Sequence, residues 1–143
     1  MKMLLFVFLI PFQLIAQPFS NSEVASWKKQ AGNITIIRDH YGIPHVYGKT
    51  DADAVFGLLY AQCEDDFRRV EMNYIEKLGR LAEVNGEKDL YNDLLIRLVI
   101  DSADAIKDYN NANDTLKRIL NAFADGINYF LHKNQKIKPI LLN

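Results

Sequence analysis

The sequence predicts an α+β fold in which a two-stranded ribbon precedes three mainly amphipathic helices. One observation is a short β-branched run, Ile34 to Ile37, that resumes as His45 to Tyr47 beyond a glycine and a proline. The second is the recurrence of apolar residues at three- and four-residue steps from Asp51 onward. The third is that turn-forming residues, Gly86 and Asn110 to Asn113, interrupt that pattern.

The chain has 143 residues, 49% apolar and 24% charged, which suits one folded domain with its own core. Its 17 basic and 18 acidic residues leave a net charge of −1 with no like-charge block, so nothing favours a nucleic acid partner. Residues 2–16, KMLLFVFLIPFQLIA, place one lysine ahead of an apolar run that Pro11 and Gln13 interrupt. The run falls short of the roughly 20 apolar residues of a membrane span and fits a secretory signal peptide cleaved after Ala16. Residues 1–16 are thus a signal peptide and 17–33 a polar N-terminal segment, and the mature protein is exported to the periplasm or medium with no remaining membrane anchor. Cys63 is the only cysteine, so the fold holds without an internal disulfide. Flanked by Glu64 and Asp65 inside a helical pattern, it reads as a small core residue with a raised pKa, not a nucleophile.

Each element follows from its residues. Ile34, Thr35, Ile36 and Ile37 make the first strand. Gly42 provides for positive φ and Pro44 bars Ile43 from helical geometry, so Tyr41 to Pro44 is a tight connection to the second strand. Thr50 and Asp53 form an acidic capping box that opens a long helix. Its apolar positions, among them Val55, Leu59, Phe67, Val70, Tyr74 and Leu78, run on to Gly86, with a bend near Gly79. A second helix covers Tyr91 to Tyr109 and a third starts at Asp114 and runs through Leu131. A ribbon of two strands is marginal by itself in water, so further sheet partners are expected from outside this chain.

The candidate chemistry is sparse. His40 and His45 are five apart across the turn, and no third metal ligand can be assigned to them. Glu64, Asp65 and Asp66 are consecutive and fan around a helix, so they do not converge as catalytic carboxylates; one is expected to pair with Arg38, Arg68 or Arg69. No serine lies in a nucleophile elbow and there is no glycine-rich phosphate loop.

Five blocks in order carry a resemblance: RDHYGIPHVYG (38–48), Asp51-Ala52-Asp53-Ala54 with Gly57, AQCEDDFRRVEM (61–72), LGRLAEVNG (78–86) and FADGINYFL (123–131). They resemble the N-terminal, or α-chain, region of the penicillin acylase (penicillin amidase) family, which includes acyl-homoserine-lactone acylases. The resemblance covers about residues 34 to 142. It implies that residues 34–143 are a partial α-chain domain of an αββα N-terminal nucleophile hydrolase sandwich, truncated at its C-terminus. In that family an exported precursor cuts itself, and the new N-terminal serine of the β chain hydrolyses an amide bond of an N-acylated small molecule, such as a β-lactam antibiotic or an acyl-homoserine lactone. The resemblance places no catalytic residue in this chain; the nucleophilic serine is expected downstream. Arg38, Asp39, Gly42, Pro44, His45, Asp65, Gly79 and Glu83 match the family's motifs as structural positions. No cofactor or metal is implied in these residues, although several full-length members hold calcium. The implied partners are the β chain of the same precursor and a small N-acylated substrate. One departure is Asp66, an acid where many members have arginine. Two competing readings are an inactive remnant or exported helical interaction protein, and a small metalloprotein built on His40 and His45.

Overall fold

The computed structural model describes residues 19–141. The signal-peptide reading of residues 1–16 lies outside them. The ribbon is present as β1 (Ile34–Arg38) and β2 (Pro44–Gly48), antiparallel, with Ile34 opposite Gly48, Ile36 opposite Val46 and Arg38 opposite Pro44. Strand alternation sends Ile34, Ile36, Pro44 and Val46 inward and Thr35, Ile37, His45 and Tyr47 outward.

The helices are α1 (Asn21–Ala31), α2 (Asp51–Lys77), α3 (Leu81–Asn85), α4 (Leu90–Val99), α5 (Ser102–Asn111) and α6 (Asp114–Lys133). Among the described residues the fold is therefore a ribbon with six α-helices where the periodicity predicts three, and each extra boundary has a local cause. Helix α1 occupies the segment read only as polar: Ser20 accepts from the Glu23 amide while Glu23 reaches back to the Ser20 amide, a complete capping box. At the predicted bend the helix instead ends, because Gly79 takes φ 61° and turns the chain into α3. The predicted Tyr91–Tyr109 helix divides at Ile100, and Asp101 caps the new start by accepting from the Ala103 amide at 2.7 Å. Thr50 caps α2 by accepting from the Asp53 amide at 3.2 Å.

Helix α2 packs along α6, and the ribbon lies on the first half of α2. Both contacts need glycine: a Cβ on Gly57 would come within 2.7 Å of Ile34 Cγ2 and Val46 Cγ1, and one on Gly126 would run into the Phe56 carbonyl. Leu59, Cys63, Phe67, Val70, Ile127 and Phe130 form the main core, with the Phe67 and Phe130 rings stacked at 5.8 Å. Val24 and Trp27 of α1 close a second cluster against Phe56 and Ala122. Burying one such side chain stabilises by about 2 kcal/mol, which is why α1 stays attached.

Buried acids tie down backbone ends. Asp93 of α4 accepts from the Leu81 and Ala82 amides at 2.8 and 2.7 Å, capping α3 from across the structure. Glu71, 1% exposed, accepts from the amides of Ile140 and Leu141 and faces Arg68 at 3.3 Å, so it straps the C-terminal segment onto α2.

Candidate functional site

The ribbon turn and the middle of α2 meet. Asp39 organises the turn: its Oδ1 accepts from the Tyr41 and Ile43 amides, both at 2.9 Å, and its Oδ2 lies 3.4 Å from His45 Nε2. Gly42 has φ 83°, the left-handed conformation that the loop requires at that point. The Ile43 amide contributes most to holding the Asp39 carboxyl below its ordinary pKa, with His45 and the Tyr41 amide adding to it.

Arg38 spans the junction. Its guanidinium donates to the Gly42 carbonyl at 2.9 Å, and meets Asp65 at 2.7 Å and Glu64 at 3.2 Å. Those contacts, Glu64 foremost, raise its pKa further. The pairing answers a local problem. Helical geometry is interrupted at Asp66, with φ −159° and ψ 80°, so Glu64 and Asp65 sit at the carboxyl end of a helical segment, where the helix dipole disfavours acids. Asp66 itself caps the segment that follows, accepting from the Arg69 amide at 3.0 Å. Beside the junction is an open cleft of about 700 Å³ lined by Arg38, Tyr60, Glu64, Asp65, Phe130, Lys133, Asn134 and Ile137.

The structure thus gathers Arg38, Asp39, Gly42, Pro44, His45 and Asp65 at one end of the ribbon. Gly79 and Glu83 lie apart from them: Glu83 forms a bidentate pair with Arg80 at 2.7 Å, and Arg97 donates to the Gly79 carbonyl at 3.0 Å. His40 lies against Tyr41 with ring centroids 3.8 Å apart and the rings tilted by 43°, whereas His45 is turned toward Asp39. Among the described residues, no group of three or more His, Cys, Asp or Glu is arranged to hold a metal ion.

Little here is poised to break a bond. Burial pushes the Cys63 thiol up to about 12, and burial is the cause, not the neighbouring acids that the sequence suggests. Ser20 meets a carboxylate, Glu23, but that contact serves the helix cap. The junction holds a ribbon to a helix, with Arg38, Asp39, Glu64, Asp65 and Asp66 each answered by a partner. Glu71, Asp93 and the capping role of Asp66 escape the sequence reading. The first two act on backbone far along the chain, and Asp66 sits within uninterrupted helical periodicity.

The model of the penicillin amidase family matches residues 33–142. This chain belongs to the penicillin amidase family. Among relatives, it is 33% identical over 112 residues to the acyl-homoserine lactone acylase QuiP of Pseudomonas syringae pv. tomato, covering 78% of this chain and 14% of that protein. It is 30% identical over 98 residues to the penicillin acylase 2 proenzyme of Pseudomonas sp. strain SE83, covering 68% of this chain and 13% of that one. The fold is similar to that of a thermostable penicillin G acylase from Alcaligenes faecalis, with a TM-score of 0.65 and 24% identity, over 77% of this chain and 58% of that chain. The chain therefore spans about one-seventh of the length of these curated penicillin amidase relatives.

Proposed function

We propose that this chain is the N-terminal part of an exported acylase that hydrolyses the amide bond of an N-acylated small molecule, a β-lactam antibiotic or an acyl-homoserine lactone. The observation that carries the reading is the family match across residues 33–142 in a chain that spans only 14% of an acyl-homoserine lactone acylase. The ion-paired, hydrogen-bonded junction around Arg38 and Asp39 supports a scaffolding role for this portion.

In this reading the nucleophile is an N-terminal serine exposed by self-cleavage of the precursor, supplied by polypeptide beyond this chain. Its hydroxyl attacks the amide carbonyl while its own α-amino group takes the proton and passes it to the leaving amine. Backbone donors stabilise the oxyanion, and water then releases the acid from the acyl-serine. Calcium, if the full-length protein holds it, would serve structure. Residues 1–16 direct export.

The test is hydrolysis of a chromogenic phenylacetyl anilide and of an N-acyl homoserine lactone. The purified chain alone should show no turnover, and the chain combined with the rest of its acylase polypeptide should hydrolyse one of the two. Robust hydrolysis by the isolated chain overturns the scaffold reading.

A further inference from the structure

Helix α4 is inside out. Its apolar stripe, Tyr91, Leu94, Leu95 and Leu98, follows the i, i+3, i+4, i+7 spacing of a core-facing surface, yet it faces outward, with Tyr91 86% and Leu98 83% exposed. The opposite side carries the polar groups: Asp93 is buried, and Asn92 Nδ2 is buried without a hydrogen-bond partner. The polar side is fastened. Asp93 holds the α3 amides and Arg97 holds the Gly79 carbonyl. Helix α5 continues the arm and returns it to α6, where the Tyr109 hydroxyl donates to Asn121 at 2.8 Å and Lys117 donates to the Asn110 carbonyl at 2.8 Å. An isolated ten-residue helix would be marginal in water, so these ties present the stripe in a fixed orientation.

Resting on the functional reading above, we propose that this outward face of α4, extended by Val99, is the seat for the remainder of the acylase polypeptide. Two observations select that occupant. The face lies within residues 33–142, the part shared with the family, while the chain spans only 14% of the acyl-homoserine lactone acylase it matches. The adjoining helix is acidic, with exposed Asp101, Asp104 and Asp108 against the single Lys107, so the fitting surface is an apolar segment flanked by lysine or arginine. A second copy would set the same aspartates against each other, and an anionic membrane would be repelled by them.

The experiment expresses the chain, as wild type and as Leu94→Ser/Leu98→Ser, together with the remaining acylase polypeptide encoded at the same locus. Both leucines are exposed, so circular dichroism of the two forms should coincide. The wild type should form a one-to-one complex and the double variant should bind at least ~10-fold more weakly. Equal binding by the variant overturns the inference and leaves the functional reading standing. A homodimer of the chain, or binding to phosphatidylglycerol-containing vesicles, that the double variant abolishes would also overturn it. Absence of any further acylase-coding sequence at the locus removes the functional reading itself.

Discussion

Asp39 and Arg38 divide the turn between them, one satisfying backbone amides inside the loop and the other reaching out to α2. Because the Asp39 carboxyl is held below its ordinary value of 3.8, its contribution to stability is fully present above that value and is lost as pH falls through the lower folded pKa. Asp39→Asn, whose amide oxygen still accepts from Tyr41 and Ile43, should therefore flatten the acid side of the stability profile below about pH 4, measured by urea unfolding across pH. An unchanged acid slope would assign the titration elsewhere. Gly42→Val places a β-branched residue at φ 83° with nothing within 4 Å of its Cβ, so the cost is backbone strain, about 2 kcal/mol by thermal unfolding. Glu71→Ala would strand the Ile140 and Leu141 amides and lower stability by about 2 kcal/mol. The Asp39 and Arg38 motif is legible in sequence because every group it serves lies nearby or in one adjoining helix. The work of Glu71 is invisible there, since its partners are 69 and 70 residues away.

At the scale of elements, helices were easier to locate than their ends. Apolar spacing alone carries the reader through Gly79 and through Ile100, because apolar residues continue on both sides of each break. The local signals were present: Asp101 with Asp104 three residues on repeats the pattern of a helix start, as do Ser20 and Glu23 before α1. The interruption at Asp66 had no such signal, since Asp66 stands among residues that fit the helix on either side. Asp66→Ala should remove the cap of the following segment and cost about 1 kcal/mol, read by denaturant unfolding. Where α2 crosses α6, Gly126→Ala should cost about 3 kcal/mol, because the added methyl meets the Phe56 backbone, which cannot swing aside as a flexible side chain would. A loss below 1 kcal/mol would mean that the two helices separate easily.

For the whole molecule, the ribbon and the helical body were legible, whereas the direction in which α4 faces was not. Periodicity reveals that a stripe exists and not which side of it the rest of the protein covers; only the buried Asp93 and the exposed Leu98 decide that. The strap formed by Glu71 also governs timing. Helical turns form in under a microsecond, but the Glu71 carboxylate has no strap to hold until Ile140 and Leu141 exist. At ordinary rates of synthesis the intervening stretch takes on the order of ten seconds to make. During that interval the second half of α2 carries a carboxylate destined for burial with its main partners still missing, so the chain stays open to water there until Ile140 and Leu141 arrive.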